Sequence, residues 1–153
     1  MALDALDKLL EDGRGGVFAL PTPVAPKDVQ ASAKRAGFAY FHVDGKNIGK
    51  KEQLLINVAT TLRFPAHFGH NWDALEECLV DMEGIDADGF VIHYDHTEHL
   101  MNAHPDQFET FVEICRDAVA SWKEDGTPMV FLLSGAKAPK GVAKLSAKPA
   151  DDE

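Results

Sequence analysis

FGHNWDALEECLVDM, residues Phe68 to Met82, combines a helix start, an apolar arc and an acidic outer arc in one short stretch. Gly69 and Asn71 are turn or cap residues, and Asn71 can accept from the first free backbone N–H groups of a helix beginning at Trp72. At about 100° per residue, Trp72, Leu75, Cys78, Leu79 and Met82 share one apolar arc. Asp73, Glu76, Glu77 and Asp81 take the opposite arc, with Val80 exposed among them and no Lys or Arg anywhere on it. Asp73–Glu77 and Glu77–Asp81 are like-charge pairs four residues apart, each costing an isolated helix about 0.2–0.5 kcal/mol. The helix dipole offsets this near Asp73 and opposes Asp81 at the far end. Such a face suits either plain solvation of an amphipathic helix or a cationic partner.

The rest of the chain narrows the choice. Its 153 residues suit one domain with a real core, and 45% hydrophobic content with nine Phe argues for a folded protein. Asp+Glu number 25 against Lys+Arg 15, a net charge of -10. Lys137, Lys140, Lys144 and Lys148 all fall in residues 136–153, so the preceding chain is more acidic still. That balance argues against nucleic acid or an anionic membrane surface as a ligand, and for basic partners or simple solubility. Cys78 and Cys115 sit in helical apolar patterns and read as buried thiols of a reducing compartment. Met1 to Leu10 lacks the apolar core of a signal peptide, and no run has the length of a membrane span, so a cytoplasmic location is expected.

Taken in order, Leu3, Leu6, Leu9 and Leu10 have helical spacing up to Gly13, and residues 1–16 are expected to form a docking helix or a weakly ordered arm. Val17 to Leu20 suits a strand before Pro21. Pro26 can open a helix over Lys27 to Ala36 that ends at Gly37. Phe38 to Val43 is a strand closed by Asp44-Gly45, and Lys51 to Arg63 a helix closed by Pro65. Gly89 to Tyr94 and Pro128 to Leu133 read as buried strands around a long helix from Asp106 to about Glu124. This alternation predicts an α/β domain over residues 17–135 with a small, mainly parallel sheet and packed helices, including an N-terminal strand-helix extension. Residues 136–153 carry no core pattern and read as a disordered tail. Both flanks are expected to be dispensable for folding.

Chemistry leaves few candidates. His67-x-x-His70 with Asp73, and His96-x-x-His99, invite a metal reading, but neither has the helical spacing of a zinc protease. Surface or cap histidines are the expectation, with no metal and no cofactor. The chain has no Walker or dinucleotide glycine loop and no Gly-x-Ser-x-Gly elbow. Cys78 lies on the apolar arc, which counts against a nucleophile. Carboxylates on one solvated helix face lack the two environments that separate acid from base. No enzyme is expected.

Phe68-Gly69-x-Asn71-x-Asp73-Ala74-Leu75-x-Glu77-Cys78-Leu79 resembles the signature of the barstar family, inhibitors of barnase-type ribonucleases. The resemblance runs from the Phe38 strand to Phe131-Leu132-Leu133-Ser134. It implies a non-enzymatic inhibitor whose acidic helix and preceding loop plug the active site of a basic, extracellular-type ribonuclease or related toxin domain. A carboxylate then occupies the place of a substrate phosphate. By position, His67 takes the place of a loop aromatic, Gly69 that of the loop glycine, Asp73 that of an interface acid and Glu77 that of the central acid. Phe68, Asn71, Glu76, Val80 and Asp81 complete the expected surface. A further acid on the last helix aligns with Asp117 or, one turn later, with Ser121. Glu77 is one methylene longer than the family's Asp, Glu76 stands where the family has a Trp, and His67 where it has a Tyr. The rival readings are a module of the same fold with a non-nuclease partner, and a metal-dependent hydrolase built from His67, His70 and Asp73.

Overall fold

The computed structural model describes residues 2–20, 24–65, 70–82 and 84–145. In chain order the elements are α1 (Ala2–Glu11), β1 (Gly16–Ala19), α2 (Pro26–Ala36), β2 (Phe38–Asp44), α3 (Lys51–Thr61), α4 (Trp72–Leu79), β3 (Gly89–Asp95), α5 (Glu98–Ala103), α6 (Pro105–Glu124), β4 (Met129–Leu133) and β5 (Ala143–Lys144). A 3-10 turn, Gly45–Asn47, follows β2. The five strands form one sheet in the order β2-β3-β4-β1-β5, every neighbour parallel. The expected α/β class and parallel sheet are therefore present.

Strand residues alternate between two packed layers, as a period of two requires. Phe90, Ile92 and Tyr94 of β3 and Met129, Phe131 and Leu133 of β4 share a core with Leu54, Leu75, Phe111 and Cys115 from the helices α3, α4 and α6. Val91, Val130 and Leu132 point the other way, into a core completed by α1, α2 and Leu145. Burial on both faces explains why Phe90 to Ile92 of β3 and the whole of β4 are continuous apolar runs. Pro26 opens α2, and Gly37 closes it at φ 82°. A side chain at Gly37 would meet the movable carboxylate of the exposed Asp88, so it is the left-handed backbone that calls for glycine there.

Of the two readings of residues 1–16, the docking helix is the one present, with Leu6, Leu9 and Leu10 of α1 buried, whereas the C-terminal flank differs from expectation. Asp7 accepts from Arg35 Nη2 at 2.9 and 3.1 Å and from the Ser32 hydroxyl, tying α1 to α2. Within residues 136–153, β5 pairs with β1, and Val142 and Leu145 are buried. Arg116 donates to the Gly141 carbonyl at 2.7 Å. A tail lacking periodicity can still dock through backbone pairing and two apolar anchors, which a composition argument does not register. Residues 146–153 lie outside the described residues.

Candidate binding face on α4

Helix α4 begins where the Asn71 side chain accepts from the Ala74 N–H at 2.8 Å, as its cap role requires. Leu75 and Leu79 are fully buried, which fixes the rotation of the helix on the core. Trp122 Nε1 of α6 donates to the Leu79 carbonyl at 2.8 Å, tying down the far end. At the near end Lys51 Nζ of α3 lies 5.2 Å from the centre of the half-buried Trp72 ring. Neither Lys51 nor Trp122 belongs to the local motif, and no sequence pattern links them to it.

The helix is shorter than the apolar arc implied. It stops at Leu79, and the Val80 and Asp81 N–H groups bond back to the Glu76 and Cys78 carbonyls, each at 3.2 Å. Met82 stays buried beyond the helix end. Cys78 differs too: it is half-buried, not buried, whereas Cys115 is fully enclosed. Cys78 sits on the flank of α4 and lines a cleft of about 260 Å³ with Arg63, Phe64, Glu77 and Asp81. Its thiol pKa is raised, first by burial and then by Glu77 and Asp81, so the thiolate needed for nucleophilic chemistry is disfavoured. Burial raises the Cys115 thiol pKa well above its ordinary value.

Asn71, Asp73, Glu76, Glu77, Val80 and Asp81 are all exposed on α4 or at its ends. None of the four acids forms an ion pair with a described Lys or Arg. Val80, 38% exposed, is one of two exposed large apolar side chains among the described residues, the other being Ile56. Asp117 is exposed on α6, the helix against which α4 packs. His67, Phe68 and Gly69 lie outside the described residues. His70 is exposed with φ 49°, and no cluster of potential metal ligands among the described residues includes it or Asp73. The ligand set of the hydrolase reading includes His67, which lies outside the described residues.

The sequence pattern of the Barstar (barnase inhibitor) family matches residues 38–134. The chain belongs to that family. The Barstar match takes in β2, β3 and β4 and every helix from α3 to α6, including the whole acidic face. No curated protein matches the sequence. Among solved structures, the Aeropyrum pernix ORC2 protein, in its ADPNP-ADP complexes, is similar at TM-score 0.55 and 14% identity. The alignment covers 89% of this chain and 39% of that one, so it extends over most of the flanks that the Barstar match omits. At that identity the likeness is one of fold. Among the described residues no helix is long and apolar enough to cross a membrane.

Proposed function

We propose that this chain is a non-enzymatic ribonuclease inhibitor that binds the active site of a basic barnase-type nuclease through α4 and the loop before it. The observation that supports this most is the outer face of α4. Asp73, Glu76, Glu77 and Asp81 are exposed on or just beyond eight helical residues that contain no cation. Their mutual repulsion costs stability, while Leu75, Leu79, Asn71 and the Trp122 bond hold the face rigid.

A nuclease that cleaves RNA gathers cationic donors around the scissile phosphate. A rigid acidic helix complements that field, accelerates encounter and forms charge-assisted hydrogen bonds inside the cleft. Glu77 sits mid-face and takes the central role, with Asp73 one turn earlier and Glu76, Val80 and Asp81 around it. His67, Phe68, Gly69 and Asn71 supply the loop contacts, and Asp117 a contact from α6. In this reading the chain works in the cytoplasm, protecting the producing cell, and its partner is neither nucleic acid nor membrane.

Inhibition of RNA cleavage by a barnase-type ribonuclease tests the reading. Wild type is expected to inhibit stoichiometrically, and Glu77→Ala and Asp73→Ala to inhibit weakly while staying folded, with a denaturant midpoint no lower than wild type for Glu77→Ala. A chain that fails to inhibit a panel of such nucleases yet captures another protein through the same residues is the non-nuclease binding module instead.

A further inference from the structure

The carboxyl ends of β2 and β3 place two acids side by side: Asp44 and Asp95 are register partners on adjacent parallel strands. Like charges directly opposite across a ladder are destabilising. No Lys or Arg forms an ion pair with either among the described residues. Immediately after β3, His96 takes φ 51°, a left-handed conformation uncommon for residues other than glycine. The turn sets its ring beside the two acids. One ligand atom from each of Asp44, Asp95 and His96 lies within 4.8 Å of the other two. Three donors on one zinc ion, each about 2.0–2.2 Å from it, lie at most about 3.8 Å from one another, so the widest pair closes by up to about 1 Å to share an ion.

Their orientation is already fixed from behind. Asp44 Oδ1 accepts from the Lys46 N–H at 3.0 Å. Asp95 Oδ1 accepts from the Gly45 N–H at 3.3 Å, and its Oδ2 lies 2.8 Å from His42 Nε2. His96 Nδ1 lies 3.9 Å from Glu98 Oε2. Such outer partners aim ligands, and each carboxylate keeps further lone pairs for a cation. Any side chain at Gly45 would strike the Asp95 and His96 carbonyls, so the turn closes this tightly only with glycine. The position lies just beyond the carboxyl ends of the two parallel strands.

We propose that Asp44, Asp95 and His96 form a site for one divalent transition-metal cation, with Zn2+ the best match. Two carboxylate oxygens and an imidazole nitrogen suit a borderline cation, whereas Ca2+ needs six to eight oxygens and Mg2+ favours oxygen alone. Asp44 is exposed and the other two are half-buried, so water completes the coordination and the ion exchanges freely. His96 thus acts with the two aspartates rather than with His99, which lies 3.5 Å from Glu98 Oε2 on α5. The proposal stands apart from ribonuclease binding, since no residue of α4 takes part.

Calorimetric titration of the full, untagged, chelator-stripped chain with Zn2+ is the test. Wild type is expected to take up zinc, with Asp44→Asn and His96→Asn each weakening one equivalent tenfold or more and His99→Ala leaving it intact. Asn at position 44 keeps an oxygen for the Lys46 N–H, and Asn at position 96 tolerates the left-handed backbone, so both variants should fold. A wild-type chain that binds no zinc, or uptake that survives both substitutions unchanged, overturns the site.

Discussion

On one face of the sheet, α3 to α6 cover Phe90, Ile92, Met129 and Phe131, and all four helices lie within residues 38–134. On the other face, Val91, Val130 and Leu132 are covered by α1, α2 and Leu145, all from outside that span. The first face carries the acidic helix, and the second carries no candidate binding residue. Family membership is therefore written in one layer, while the fold is completed by the other. Binding and stability should come apart under mutation.

The sharpest way to break this comparison is to remove α1. Leu6, Leu9 and Leu10 are nearly fully buried, and each contributes about 1.5–3 kcal/mol of burial. Their sum is comparable to the total stability of a domain, about 5–15 kcal/mol. Deleting residues 1–13 is expected to abolish cooperative urea unfolding, and a two-state transition close to that of wild type would show that the α1 layer is an accessory. Leu6→Ala is a gentler version. It should cost about 2–5 kcal/mol in chemical denaturation and leave partner affinity unchanged in whatever fraction is folded.

Between the layers in effect stands His93. It is fully buried on the α2 side of β3, with Nδ1 3.0 Å from the Tyr40 hydroxyl and Nε2 3.4 Å from the Ser134 hydroxyl. Burial, only partly opposed by Asp95, lowers its pKa from 6.5 to about 4. The folded state holds this imidazole neutral while the unfolded chain protonates it, so stability is full above pH 6.5. It should fall between pH 6.5 and 4, by at most about 3 kcal/mol, and level off below. An NMR titration of the ring with chelator present should give a midpoint near 4, and a midpoint near 6.5 would remove this contribution. On the α4 side, Trp122→Phe leaves the Leu79 carbonyl without its donor and should cost about 1 kcal/mol of stability.

Much of this architecture was legible from side-chain pattern. The strands at Phe38, Gly89 and Met129 announce themselves by apolar runs, and α4 by Asn71 and the Leu75–Leu79 arc. What escaped was written in backbone geometry or in too few residues. Helix α5 has six residues with Leu100 its one fully buried side chain, too short for periodicity to show. Strand β5 has two exposed side chains and pairs through its backbone alone. Helical phase puts Cys78 on the buried arc, yet it lies at the edge of that arc, where 100° steps cannot separate core from cleft. Asp44, Asp95 and His96 meet only because two distant strands pair in register, which no local motif encodes. Of the binding face, the exposure of Asp73, Glu76, Glu77, Val80 and Asp81 was readable from helical phase, whereas the positions of Lys51 and Arg63 beside it depend on tertiary packing.

The account rests most directly on Glu77, and its dissociation constant for a barnase-type ribonuclease should be measured beside the unfolding midpoint of the same variant. Truncating one partner of a buried charge pair generally costs about 2–5 kcal/mol, a range to which the barnase–barstar pair itself contributes. Glu77→Ala is expected to weaken binding by about thirtyfold or more with a midpoint at or slightly above that of wild type, since two like-charge pairs are relieved. Asp81→Ala, at the solvated rim, should lose about 1 kcal/mol or less. Association of wild type should slow steeply as salt is raised. A folded Glu77→Ala variant that binds the nuclease as tightly as wild type would contradict the claim that α4 is the binding face.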